Sequence, residues 1–142
     1  MTAYLIDTNV VSELVRPKPE PQVIAFFENE ADLWLSVITL HELNFGAERV
    51  KDRDRKARLI AWIETIRRQF AGRIVDVDEA QAMMGGRLRA LAASKGRDGD
   101  PLDAMIAAAA AARGLTIVTR NVRDFEGLGV ALFNLRDERD QK

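Results

Sequence analysis

Five short apolar segments, 4–6, 33–37, 74–77, 116–118 and 130–133, recur along the chain, separated by stretches whose apolar residues keep helical spacing. Val10, Val11, Leu14 and Val15 follow the first segment, and Pro17, Pro19 and Pro21 then stop that helix. Val23, Ile24, Phe26 and Phe27 restart the pattern, Leu40, Leu43 and Ala47 repeat it, and Leu59, Trp62, Ile63 and Ile66 carry it again. The stretch 78–95 reads as helix, with Gly85-Gly86 weakening it or marking close packing. Asp100-Pro101 opens the next helix, which Gly114 ends. Strands alternating with helices cannot pair as hairpins; they predict an α/β fold, a mainly parallel sheet of about five strands covered on both faces.

No repeat, low-complexity linker or composition break divides the 142 residues, so a single domain spanning 1–142 is expected, with 136–142 a charged, frayed tail. Cysteine is absent, which excludes disulfides, thiolate metal sites and a cysteine nucleophile. Segment 4–6 reads as a strand rather than a leader, and the longest apolar run, 105–112, is far too short for a membrane span. A cytoplasmic protein is expected. With 21 basic and 22 acidic residues, net charge gives no reason to expect nucleic acid. Its distribution says more: 49–68 and 87–97 are rich in Lys and Arg, either solvated helix faces or surfaces suited to a polyanion.

In a parallel sheet, ligands collect beyond the carboxyl ends of the strands, near a switch in strand order. Asp7 directly follows the first strand, with Thr8 and Asn9 placed to cap the next helix or to orient it. Glu42 lies one turn after the second strand, where Thr39-x-x-Glu42 has the form of a capping box. Asp103 sits in the first turn of the helix opened by Asp100, and Asn121 and Asp124 follow the fourth strand. Each acid singly has a sufficient account as a helix cap or first-turn residue. Together they fall on one sheet edge. Carboxylates gathered there repel one another unless a cation intervenes, and hard oxygen ligands suit magnesium or manganese. Hydrolysis of a phosphodiester by an ion-activated water is the chemistry such a site performs without another nucleophile.

Competing chemistries lack their residues. There is no glycine-rich dinucleotide or P-loop motif. His41 is the only histidine, and Phe45 stands where a zinc peptidase motif needs a second, so zinc peptidase and serine-triad chemistry are unsupported. An aspartyl-nucleophile phosphatase wants a second Asp where Asn9 stands. Ala107 to Ala112 reads as helix packed close to the sheet, and Trp34 and Trp62 as core or interface. The remaining alternative is a non-catalytic, receiver-like binding module whose acids are only caps.

Four motifs in order, Tyr4-Leu5-Ile6-Asp7-Thr8-Asn9, Ser36-Val37-Ile38-Thr39-Leu40-His41-Glu42-Leu43, Pro101-Leu102-Asp103-Ala104-Met105-Ile106-Ala107 and Thr119-Arg120-Asn121-Val122-Arg123-Asp124-Phe125, resemble those of the PIN-domain ribonucleases, and among them the VapC-type toxins of type II toxin–antitoxin modules. The resemblance spans essentially the whole chain. It implies a three-layer α/β/α domain and a Mg2+- or Mn2+-dependent endoribonuclease. It also implies a homodimer, held inactive by a VapB-like antitoxin that carries any DNA-reading element. By position, Asp7 and Asp103 match the principal metal ligands and Glu42 completes the acidic triad. Thr8 or Asn9 would orient Asp7 or a water. Relatives place a fourth acid after the fourth strand; here Asn121 holds one candidate position, and Asp124 is expected to be the outer acid with Asn121 its hydrogen-bonding partner. The departure leaves one metal or two open.

Overall fold

The computed structural model describes residues 2–136, so the expected frayed tail lies outside the described residues apart from Arg136, which is exposed. The chain runs β1 (Tyr4–Ile6), α1 (Thr8–Val11), a 3-10 turn (Ser12–Val15), α2 (Pro21–Asn29), β2 (Leu33–Ser36), α3 (Val37–Glu48), α4 (Arg53–Gln69), β3 (Ile74–Val75), α5 (Glu79–Ser94), α6 (Pro101–Ala112), β4 (Thr116–Thr119), a 3-10 turn (Val122–Phe125) and β5 (Leu132–Asn134). All five expected strands form, in the order β3-β2-β1-β4-β5. Every neighbouring pair is parallel. The order reverses at the β1–β4 pair, because the chain builds outward from β1 through β2 and β3 and then crosses to the other side.

Alternation along each strand splits the core into two layers. Tyr4, Ile6 and Val118 face one way, onto Val10, Val11, Val23, Phe26, Leu43, Ile63 and Ile66 of α1 to α4. Leu5 and Ile117 face the other way, onto Ala92 of α5 and Ala104, Ile106, Ala107, Ala109 and Ala110 of α6. The alanine run is packing over its first four residues only: Ala107 to Ala110 are all buried, whereas Ala111 and Ala112, expected to pack as well, are exposed at the helix end. Gly85 resolves as close packing too. A Cβ there would stand 3.0 Å from Met105 Cγ and 3.3 Å from the Met105 backbone, whereas one at Gly86 would meet nothing within 4 Å.

Local structure corrects the sequence reading in three places. The first helix tightens to 3-10 geometry after Val11 instead of continuing to Val15. Pro21 begins α2 rather than stopping a helix, using its preset φ where the missing N–H costs nothing. Thr39-x-x-Glu42 is not a capping box: Ser36 at the end of β2 caps α3, its Oγ accepting from the Ile38 N–H at 3.0 Å, so the helix starts earlier and Thr39 is buried inside it. The capping box that does form is Asp78 with Gln81, at the start of α5.

The two adjacent glycines of α5 should respond oppositely to a side chain. Gly86→Ala, in open space, should raise the unfolding free energy by about 0.5–1 kcal/mol through helix propensity. Gly85→Val should lower it by about 1–3 kcal/mol by forcing α5 off α6. Urea unfolding midpoints at constant m-value check both; a destabilised Gly86→Ala would contradict the packing described.

Candidate active site

Asp7 terminates β1, and its backbone N–H donates to Val118 O at 2.9 Å, extending the β1–β4 pairing to the sheet edge. Its side chain is only 6% exposed. Oδ1 accepts from the Thr8 N–H at 2.9 Å; Oδ2 accepts from Asn9 Nδ2 and from Thr119 Oγ1, each at 2.9 Å. Asn9 is itself oriented, because Oδ1 accepts from the Arg120 N–H at 3.2 Å and so turns Nδ2 towards Asp7. Asp7 therefore caps α1 as expected, yet the cap uses one oxygen alone.

Glu42 is half-buried on α3, and Oε1 accepts from Thr8 Oγ1 at 2.9 Å. With Ser36 as the true cap, Glu42 has no capping role. Thr8 thus serves Asp7 through its backbone and Glu42 through its hydroxyl. Asp100 caps α6, its Oδ1 accepting from the Leu102 N–H at 2.6 Å, which leaves half-buried Asp103 in the first turn to face the cleft. Asp124 stands in the 3-10 turn after β4 and is exposed.

Asp7, Thr8, Asn9, Glu42, Asp103 and Asp124 line one open cleft of about 560 Å3, with Asp98, Asp100 and Glu126 adding to its acidic wall and Arg97 and Arg123 on its rim. Asn121 is exposed and does not line the cleft; its backbone N–H donates to Thr119 Oγ1 at 3.0 Å. His41 is exposed beside Glu42, in a shallower depression with Phe45 and Leu102.

The electrostatics are those of an uncompensated acidic cluster. Burial pushes the Asp7 carboxyl up to about 6, against the Thr119 and Thr8 hydrogen bonds that lower it, with Glu42 and Asp124 adding repulsion. Burial likewise pushes Asp103 up to about 7, reinforced by Asp100, Asp7, Asp124 and Glu42. Asp124 is raised too, by its protein surroundings and then by Asp100. The acceptors offered to the cleft are carboxylate oxygens, a set that suits a hard divalent cation. As the side chains stand, no group of three or more Asp, Glu, His or Cys among the described residues is arranged to hold an ion.

Two elements of the site escaped the sequence reading. Thr119 is fully buried and holds the Asp7 carboxylate; its signal was a hydroxyl at the carboxyl end of a strand, as the first residue of the fourth motif. Glu13, 3% exposed, accepts from Arg120 Nη1 at 3.1 Å and, through its other oxygen, from the Glu20 N–H at 3.2 Å. This pair, buried Glu13 with half-buried Arg120, braces the strand that supplies Thr119. Its signal was an acid placed at helical spacing from Val10, on a face otherwise apolar.

The PIN domain model matches residues 4–129. The chain is 37% identical to toxin FitB of Neisseria gonorrhoeae over 133 residues, which is 92% of this chain and 96% of the relative. It is 38% identical to the tRNA(fMet)-specific endonuclease VapC of Shigella flexneri over 91% of this chain and 94% of that one. The solved structure of DNA-bound VapBC from Salmonella typhimurium superposes with a TM-score of 0.79 at 34% identity, covering 95% of this chain and 99% of that chain. Fold and sequence agree, and the chain belongs to the PIN-domain family, in its VapC-type toxin branch.

Proposed function

We propose that this protein is the toxin of a type II toxin–antitoxin pair, a single PIN-like domain that hydrolyses RNA phosphodiester bonds as a Mg2+- or Mn2+-dependent endoribonuclease. The observation that carries this reading is the convergence of Asp7, Glu42, Asp103 and Asp124 on one cleft at the switch in strand order. The binding-module alternative needs the acids to be caps. Glu42 and Asp103 make no capping hydrogen bond, and Asp7 retains acceptor capacity beyond its cap. The name of the Shigella flexneri relative supports RNA as substrate and makes transfer RNA the first to test.

When bound, a divalent ion supplies an activated water and offsets the charge that develops on the scissile phosphate. Asp7 and Asp103 are its proposed principal holders, with Glu42 completing the set. Asp7 is suited to this because Thr8, Asn9 and Thr119 lock its rotamer, so little freedom is lost on loading. Thr8 keeps Glu42 turned towards the same cleft. Asp124 is the proposed outer acid, and Asn121, outside the cleft, its proposed partner through the carbonyl that accepts from the Asp124 N–H at 3.2 Å. The raised carboxyls mean that Asp7 and Asp103 hold protons in part near neutrality, and cation loading displaces them.

A VapB-like antitoxin is the proposed inhibitor, a basic side chain among these acids being the chemistry that would silence them, and DNA is reached only through that partner. The DNA-bound VapBC complex of Salmonella typhimurium supports both. The protein is proposed to act as a homodimer in the cytoplasm; no helix among the described residues is long and apolar enough to cross a membrane.

Purified, antitoxin-free protein should cut total bacterial RNA at discrete sites with magnesium or manganese and not with chelator. Asp7→Asn/Asp103→Asn should lose on the order of 100-fold or more while keeping its circular dichroism spectrum. Failure of the folded wild-type protein to cut under any metal condition would return the acids to capping and favour the binding module. A second expectation concerns pH. Carboxyls that release protons near 3.8 when unfolded hold them to about 6 and about 7 in the fold, so the native state binds more protons and metal-free stability must fall as pH rises between those values. Asp103→Asn should therefore be more stable than wild type near pH 8, by on the order of 1 kcal/mol after solvent screening, with the advantage gone near pH 4. Thermal melts in chelator across that range check the sign; equal pH dependence in both proteins would contradict the raised carboxyl.

A further inference from the structure

Few cations are free to meet a polyanion around the acids. Arg97 on the cleft rim is held by Glu126 at 2.8 Å, and Arg120 is taken up by Glu13 and Glu20, which leaves exposed Arg123 as the unpaired arginine of the cleft among the described residues. On the far side of Glu42 the charge is of the other sign. A groove of about 530 Å3 is walled by Arg16, Arg55 and Arg58 over an apolar floor of Val15, Pro17 and Leu59. Through Val15 and Leu59 it adjoins a pocket that also contains Thr8 and Glu42, and those two residues belong to the wall of the acidic cleft. One surface thus leads from the acids to the arginines.

The charges of this groove are not spent within the protein. Arg55 and Arg58 are exposed, three residues apart on α4, where like charges repel. Neither has an acidic partner within 4.0 Å among the described residues. Arg16 touches Glu13 only at 3.6 Å, with its side chain 68% exposed. Guanidinium groups over an apolar floor are suited to phosphates with sugar and base faces beside them. The acidic cleft repels a strand as a whole, and the single free arginine at its rim, Arg123, is outnumbered by the acids, so a grip on the backbone is favoured where the sign changes.

We propose that the Arg16–Arg55–Arg58 groove is a phosphate-binding subsite for single-stranded RNA flanking the bond that is cut, its arginines binding backbone phosphates while Val15, Pro17 and Leu59 take a sugar or base face. The assignment rests on the nuclease reading for its ligand. The groove governs capture of the strand and leaves the hydrolytic step to the acids.

The test is fluorescence anisotropy of a labelled single-stranded oligoribonucleotide, in chelator, with full-length protein carrying Asp7→Asn/Asp103→Asn so that nothing is cut. Adding Arg55→Ala/Arg58→Ala should weaken binding on the order of tenfold at low salt and flatten the slope of log Kd against log salt by about 1.4, the value for two phosphate contacts on a single strand. Arg55→Lys/Arg58→Lys should keep most of the affinity and the slope. In the otherwise wild-type protein, the alanine pair should raise KM for a long RNA and leave kcat unchanged. Unaltered affinity and slope in a folded alanine variant would overturn the subsite, and so would loss of antitoxin binding with RNA binding intact, which would make the groove a protein site. Arginine-dependent RNA binding by a protein that cuts no RNA would instead uphold the groove and remove the nuclease reading.

Discussion

The pairing of β1 with β4 is the constraint on which the site depends. It joins the strands at which the sheet reverses its order, and it continues one residue past the strand through the Asp7 N–H to Val118 O. That bond sets Asp7 beside Thr119, residues 112 positions apart in the chain. Without it Asp7 would be a helix cap in solvent. With it, the carboxylate is buried, gripped on both oxygens and aimed along the carboxyl edge. The Glu13–Arg120 ion pair, its acid buried and its arginine half-buried, sits behind this junction. Such a pair adds little net stability but is costly to break singly, which suits a device that holds β4 in place.

The second half of the site is delivered by small residues. Asp103 reaches the cleft because α6 lies flat against the sheet, and it can do so because Ala104 and Ala107 to Ala110 present methyl groups rather than branched chains. Gly85 extends the same economy outward, letting α5 settle on Met105. Alanine and glycine supply little apolar area each, so this layer contributes less per residue than the Phe- and Ile-rich layer opposite. The thin layer is what permits close approach, and close approach is what places the acid.

Function and stability pull against each other in the cleft. Burial, and after it repulsion from neighbouring acids, raises the carboxyls of Asp7 to about 6 and Asp103 to about 7, a sign that the fold holds charge it does not neutralise itself. The same potential that favours a divalent cation repels a nucleic acid strand. A separate basic surface on α4 reconciles the two, keeping the attraction for substrate away from the acids.

Much of this protein was determined by sequence alone. Short, near-continuous apolar segments between helical ones prescribe a parallel sheet, parallel sheets bind at their carboxyl edge, and acids at successive strand ends mark that edge. Those are local rules, and residues within a few positions of each other satisfy them. The role of each acid was not local. Thr39-x-x-Glu42 satisfies a capping pattern in sequence, yet Ser36 takes the cap because β2 ends there, which releases Glu42 to Thr8, 34 residues away. Likewise, Thr119 looks like an ordinary strand residue until β4 pairs with β1, and Glu13 like a surface acid until the 3-10 turn buries it against Arg120. Capping and strand propensity are set by neighbours in the chain, whereas hydrogen bonds between side chains more than 30 residues apart exist only once the sheet has chosen its order.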